Sequence, residues 1–215
     1  PTTLKLAFLG ITLALIIGIP IGIISAVKQY SVFDFSAITF AMFMASMPGF
    51  WFGLVNIILF SLKLGLLPSN GLDSPVHYIL PSITLAIPST AGLLRLMRTS
   101  LLETIREDYV RTARAKGQEE WKVIMKHAVR NALLPVITYA GLEFGLLLGG
   151  IVTVEEIFSI NGIGRMLLAA IRSKDNILVV GCALFLAFVF MIVLLIVDIA
   201  YAFLDPRIKA KYTKI

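Results

Sequence analysis

Apolar residues along this chain fall into long runs, not into the alternation of a half-buried strand or the narrow stripe of a soluble amphipathic helix. Five runs, 6–26, 37–62, 79–97, 133–154 and 177–204, approach the ~20 helical residues that cross the hydrocarbon of a bilayer. Lipid offers no hydrogen-bond partner to a free backbone group, so each run is expected as a helix. The third is interrupted by Pro81 and Pro88. In the second, Ser46-Met47-Pro48-Gly49 predicts a kink or an unwound turn, because proline removes a backbone donor and irregular backbone at depth usually lines a cavity. The pattern predicts an all-α polytopic membrane protein, with residues 1–215 as one domain.

The connections carry their own patterns. Residues 63–78, KLGLLPSNGLDSPVHY, are rich in turn formers and read as an exposed loop. Asn161-Gly162-Ile163-Gly164 reads as a turn, after which Met166, Leu167, Ala170 and Ile171 recur at helical spacing. That predicts a short amphipathic helix lying at the interface. Residues 98–131 hold no proline. Thr99 or Ser100 is a candidate cap with Glu103 in the first turn. Tyr109, Val110 and Ala113 make a small apolar face, Arg111, Arg114 and Lys116 lie largely off it, and Gly117 is a natural stop. Trp121, Ile124, Met125 and Ala128 then begin a second amphipathic stretch toward Leu134-Pro135. No internal repeat or low-complexity tract is visible.

Composition agrees with a membrane protein and charge orients it. The chain is 58% hydrophobic and 15% charged, against roughly 45–50% and about 25% for soluble domains. The net charge is +6, and 14 of the 19 Lys and Arg residues fall in one set of connections: Lys28, Arg95 to Arg130, and Arg207 to Lys214. The positive-inside rule makes that set, and the C-terminus, cytoplasmic. Topology accounts for the basic balance, so nucleic acid is not needed as a partner. The chain starts at Pro1 with no basic n-region or cleavage site, which reads as a trimmed start and not as a signal peptide.

Catalytic and metal-binding patterns are missing from the sequence. There is no G-x-x-x-x-G-K-[ST] phosphate cradle, so ATP is not expected to bind this chain. There is no HExxH or paired Cys/His set; His77 and His127 stand alone on opposite sides, and Cys182 sits in an apolar run. Met42, Met44 and Met47 read as flexible core filling. Two carboxylates, Glu143 and Asp198, lie within runs, where a charge must face protein or water. Asp198 reads as an interhelical or interface group. Glu143 is deeper, among Gly141, Gly145, Gly149 and Gly150, and either bonds a neighbouring helix or lines a translocation path; the glycines favour close helix packing. Ser46, Pro48 and Asn56 join Glu143 as candidate path residues.

The basic segment has two physical readings. One is an anchor on anionic headgroups, at ~1 kcal/mol per basic residue. The other is a protein-docking surface, which better fits small residues, a glycine break and interleaved Glu107, Asp108, Glu119 and Glu120. Here a resemblance enters. DYVRTARAKG followed by HAVRNALLP resembles the EAA loop of the membrane subunits of bacterial ABC importers. Arg111-Thr112-Ala113 stands where the general motif has Glu-Ala-Ala, Gly117 is the motif glycine, and the longer interval to Leu134-Pro135 resembles the peptide and nickel permease branch. MPGFWFGLVNIILF, ILPSITLAIP, VEEIFSINGIGRMLLAAI and YAFLDPRIK follow in that family's order, so the likeness spans the chain and is closest to its B-type subunit.

The resemblance implies a type I importer transmembrane fold, with a sixth, N-terminal span beyond the five seen here. It implies that 98–131 forms a coupling loop. Ala113, Arg114, Ala115, Lys116 and Gly117, with Tyr109, Arg111 and Thr112 close by, then sit in a groove of a cytoplasmic ATPase subunit that holds ATP and Mg. It further implies a second homologous permease, an extracytoplasmic substrate-binding protein docking near EEIFSINGIG and 63–77, and inward movement of peptides or nickel by alternating access. Two other classes remain open from the residues alone: a stand-alone ion-coupled transporter or channel relying on Glu143 and Asp198, and a membrane scaffold whose basic segment only binds lipid.

Overall fold

The structure, a computed structural model, describes the backbone of residues 2–204 and their side chains other than those of 198 and 200–204. The Asp198 side chain therefore lies outside the described residues. Within them every regular element is a helix or helical turn, and there is no strand.

Helix α1 (Thr2–Val27) carries small residues at four-residue intervals, Gly10, Ala14, Gly18, Gly22 and Ala26, all five buried in one stripe. The stripe lies along α4 (Ile79–Ile105). A Cβ at Gly22 would stand 2.8 Å from the Leu94 carbonyl oxygen, so the two backbones approach as closely as helices can. This stripe is plain in the sequence at i, i+4, i+8 spacing, and is the largest packing signal that the run-length reading overlooks.

Helix α4 is the central element. It runs unbroken through Pro81 and Pro88 to Ile105. Pro81 sits in the first turn, where its missing N–H would be unpaired in any case, and Pro88 removes a single bond inside a helix buried against α1, α2 and α7. Thr99, Ser100 and Glu103, expected to open a separate helix, instead lie within α4; the Ser100 hydroxyl donates to the Ala132 carbonyl at 2.9 Å.

The second apolar run does not form one straight span. Helix α2 (Val32–Ala45) starts at Ser31, whose hydroxyl accepts the Asp34 N–H at 3.2 Å. The chain breaks at Ser46-Met47-Pro48, and α3 (Gly49–Asn56) continues as a π-helical segment to Lys63. The two arms meet at 100°. The predicted kink is present and far sharper than a proline bend.

Residues 63–78 are a folded cap, not a free loop. The Gly71 N–H donates to the Phe158 carbonyl at 3.1 Å, and Leu67, Leu72 and Tyr78 pack on the core. After α4 come α5 (Asp108–Ala115), a short α6 (Glu120–Lys122), a π-helical turn Val123–Ala128 and α7 (Val129–Ile157). Within this stretch Val123, Ile124 and Ala128 are buried, whereas Trp121 and Met125, expected on the same apolar face, are exposed. The π-helical turn widens the helix and shifts the phase of the pattern. Helices α8 (Ile163–Arg172) and α9 (Asn176–Leu204) are the last two elements of the described residues. Gly141 and Gly145 receive Val197 and Phe190 of α9, while Gly149 and Gly150 face open space.

Among the described residues four helices are long and apolar enough to cross a membrane, and the bent pair makes a fifth crossing if counted as one. Many large apolar side chains, among them Phe8, Ile16, Phe35, Leu146, Ile177 and Leu184, point outward, as lipid-facing positions do. Contacts sort the ends: Thr3, Glu155, α8 and residues 63–78 gather at one, and Lys28, Asp34, Arg98 and α5 at the other, which is the basic end.

Candidate functional site

The first site is the finger formed by α5, Gly117 and α6. Glu107 is extended and opens α5, Asp108 sits in its first turn, and the Thr112 hydroxyl donates to the Asp108 carbonyl at 2.9 Å. Val110, fully buried, and Ala113 press into the π-helical turn, where Val123 and Ile124 are buried in turn. Gly117, at φ +72°, reverses the chain in a left-handed conformation that glycine adopts without cost. Across that reversal the Arg114 guanidinium donates to Glu120 from Nε at 3.0 Å and from Nη2 at 2.7 Å. The guanidinium beside it holds the Glu120 carboxyl below the usual carboxylate range. Asn131 Nδ2 donates to the Tyr109 hydroxyl at 2.7 Å and so ties α5 to the first turn of α7.

The eight candidate coupling residues therefore divide. Ala113 faces the chain's own core, Arg114 is engaged by Glu120, and Tyr109 is held by Asn131. Arg111, Thr112, Ala115, Lys116 and Gly117 are exposed. Trp121, grouped by its spacing with Ile124 and Ala128, is 68% exposed and is an outward aromatic. The Arg114–Glu120 pair ties α5 to α6, the Tyr109–Asn131 bond ties it to α7, and Arg114 Nη1 donates to the Ile105 carbonyl at the end of α4 at 3.5 Å.

The second site is a cavity of about 490 Å³ between α3, α4 and α7, lined among others by Gly49, Phe50, Thr84, Ser89, Glu143 and Gly150. Glu143 is 9% exposed, and the Ser89 hydroxyl donates to its Oε2 at 2.7 Å. The carboxylate is thus both bonded to a neighbouring helix and open to a cavity. Ser46 donates to the Met42 carbonyl at 2.8 Å on the exposed side, and Pro48 caps α3. Asn56 is buried and its amide donates to Thr84 Oγ1 at 3.3 Å. None of these three lines the cavity; Gly49, Phe50 and Thr84, their immediate neighbours or partners, do. Gly150 lines it, while Gly141 and Gly145 serve α9. Ser89 and Thr84 carried no signal in one sequence beyond being small hydroxyls flanking Pro88.

A third cluster escaped the sequence reading. Glu155, fully buried, accepts the Thr3 hydroxyl at 2.6 Å and the Arg165 N–H at 3.0 Å, while Thr3 Oγ1 accepts the Ile163 N–H at 2.9 Å. The carboxylate sits where a Cβ on Gly162 would be. It caps the start of α8 and pins it to the first turn of α1. The pair Glu155-Glu156 just before Asn161-Gly162-Ile163-Gly164 was the available hint.

Residues 18–210 match the family model described as binding-protein-dependent transport system inner membrane component. The chain is 41% identical, over 97% of its length and 69% of the relative's, to a peptide transport system permease protein of Brucella abortus (strain 2308). It is 38% identical, over 97% of its length and 68% of the relative's, to the dipeptide transport system permease protein DppB of Bacillus subtilis (strain 168). In fold it is similar to a chain of the MetNI methionine ABC transporter in an inward-facing conformation, with a TM-score of 0.76, 15% identity and coverage of 94% of this chain and 93% of that one.

Proposed function

This chain belongs to the family of binding-protein-dependent transport system inner membrane components, and from that premise we propose that it forms half of the path by which an ABC importer takes up di- or oligopeptides. It is a multi-pass permease subunit of the inner membrane, the non-catalytic part of such an importer. The finger supports the rest of the reading. Its outer face, Arg111, Thr112, Ala115 and Lys116, is exposed to a partner, and its inner face is tied to α4 at Ile105 and to α7 at Asn131. Separate ATPase subunits, carrying ATP and Mg, seat that outer face. Their closure on ATP moves the finger, and with it α4 and α7, whose Ser89 and Glu143 line the cavity. Access to the cavity alternates as the helices shift. The basic end and the C-terminus are cytoplasmic. A second, homologous permease supplies the other half of the path, and an extracytoplasmic binding protein delivers substrate to the end that carries α8 and residues 63–77.

Peptides are favoured over nickel because the similar relatives are named for peptide or dipeptide transport. The test is reconstitution of the full-length protein with its ATPase subunits, its homologous permease and the binding protein in vesicles. ATP-dependent accumulation of a labelled dipeptide is the expected result. Accumulation of Ni²⁺ alone reassigns the substrate. Uptake that follows an ion gradient with no ATPase subunit present overturns the reading.

A further inference from the structure

We infer that the junction of the finger with α7 is a binding site for an anionic phospholipid of the leaflet at the basic end. A cavity of about 400 Å³ lies there, and its polar wall is Lys126, His127, Arg130, Asn131 and the Tyr109 side chain. Its remaining wall is apolar, with Leu134 and Ile137 leading into the membrane-spanning part of α7. No carboxylate lines it, and among the described residues none pairs with Lys126 or Arg130. Three other cations of this loop have acidic partners, Arg111 with Asp108, Arg114 with Glu120 and Lys122 with Glu119, whereas Arg106 and Lys116 have none among the described residues but line no such cavity. Two uncompensated cations over an apolar slope match one ligand chemistry, a phosphate group attached to acyl chains.

The position fits that ligand. The cavity sits where the basic connection meets the first apolar residues of a span, the depth at which headgroup phosphates lie. His127 is already bonded to Gln118, with 2.9 Å between Nε2 and Oε1, and Asn131 to Tyr109. The phosphate is therefore taken by Lys126 and Arg130, and the acyl chains descend along Leu134 and Ile137. The same Asn131 holds α5, so a bound lipid buttresses the clasp that orients the finger. A free phosphate or a phosphorylated solute would satisfy the two cations but leave the apolar wall uncovered.

The inference rests on the membrane-spanning reading and not on the transported solute, and its test needs no transport. The intact transporter, all subunits assembled, is extracted in neutral detergent and supplied with phosphatidylglycerol or with phosphatidylcholine of the same chains. Retained lipid is counted by native mass spectrometry. Preferential retention of phosphatidylglycerol is expected, lowered about fivefold by Lys126→Gln and by Arg130→Gln, the effect of one basic group at an anionic surface. Arg130→Lys keeps the preference, and so does Lys122→Gln, a charge outside the cavity. Equal retention of the two lipids overturns the site. An equal loss in Lys122→Gln and Lys126→Gln reduces it to diffuse charge and also overturns it. Displacement of phosphatidylglycerol by excess inorganic phosphate shows that the acyl chains are not recognised, and overturns the lipid assignment. Should Arg130→Gln fail to assemble, Lys126→Gln, at an exposed position, decides alone.

Discussion

Arg98 grips Asp34 through two parallel hydrogen bonds, Nε to Oδ1 and Nη2 to Oδ2, each 2.7 Å. The pair fastens the start of α2 to the end of α4. Asp34 also accepts the Ser25 hydroxyl of α1 and the Tyr30 N–H at 2.9 Å, so three segments converge on one buried carboxylate. Removing one partner of a buried pair strands the other charge, at a typical cost of roughly 3–5 kcal/mol. Arg98→Ala is expected to lose most assembled protein, measured as the monodisperse fraction and melting midpoint in detergent. The Asp34→Ala/Arg98→Ala double variant is expected to recover part of the loss. A double variant as unstable as the sum of the singles shows that the two residues act independently.

Gly117 has nothing within 4 Å of the place where a Cβ would go, yet its φ is +72°. Substitution there strains the backbone without a clash. A left-handed conformation costs an L-residue about 1–2 kcal/mol, least for Asn. Gly117→Val is expected to assemble with its ATPase partners and to hydrolyse ATP without moving substrate, whereas Gly117→Asn keeps most uptake. Paired uptake and ATPase assays in the same vesicles check this. Normal uptake by an assembled Gly117→Val transporter removes the turn from the coupling path.

The Arg114–Glu120 clasp gives the finger a pH dependence of defined sign. The folded-state pKa of Glu120 lies below its ordinary value. The stabilisation is therefore complete above the unfolded carboxylate pKa, about 4.3, and is lost as pH falls through the lower folded value. Tryptic cleavage after Lys116, taken relative to an unstructured reference peptide in the same buffer, is expected to stay constant from neutral pH down to the weakly acidic range. Glu120→Gln is expected to cleave faster throughout, because it keeps the shape and loses the charge. A variant cleaved at the wild-type rate shows that the apolar wedge of Val110 and Ala113 alone holds the finger.

How much of this was legible depends on what each residue answers to. Span existence was legible because run length responds to the bilayer and to nothing else. The break at Ser46–Gly49 and the stop at Gly117 were legible because proline and glycine act through the local backbone. The continuity of α4 through Pro88 was not, since that helix is held by α1, α2 and α7 on its sides. The place of Ala113 on an apolar face with Val110 was legible from helical spacing; the outward face of Trp121 was not, because the π-helical turn at Val123–Ala128 shifts the phase of the pattern and no periodicity of 3.6 announces it. Glu143 was legible as an expensive charge in an apolar run; its partner Ser89 became visible only when α4 was laid against α7.

Ser89 and Glu143 form the polar wall of the central cavity. Glu143→Gln keeps the size and the acceptor for the Ser89 hydroxyl but removes the charge. If the cavity carries substrate with a cationic end, such as a peptide amine, Glu143→Gln is expected to reduce uptake at least tenfold with assembly intact. Ser89→Ala is expected to have the smaller effect. Dipeptide uptake and substrate-stimulated ATPase activity in vesicles measure both. Wild-type uptake by Glu143→Gln leaves the carboxylate as a helix-packing group.

Glu155 poses the sharper question at the opposite end. Its carboxylate accepts from Thr3 and from the Arg165 N–H, and it occupies the space beside Gly162 that any side chain would take. A buried acceptor stripped of its donors costs about 1–3 kcal/mol, more when charged. Gly162→Ala must push the carboxylate out of its place and uncap α8. Thr3→Ala removes one donor to the carboxylate and the acceptor of the Ile163 N–H, but leaves the carboxylate in place with the Arg165 N–H. Gly162→Ala is therefore expected to lower the melting midpoint more than Thr3→Ala. Thr3→Val, which keeps the shape without the hydroxyl, is expected to match Thr3→Ala. If α8 is the surface that receives the binding protein, Gly162→Ala also weakens binding-protein stimulation of the ATPase, because the helix loses its fixed attachment to α1. Stimulation that is unchanged while the melting midpoint falls confines Glu155 to a structural cap.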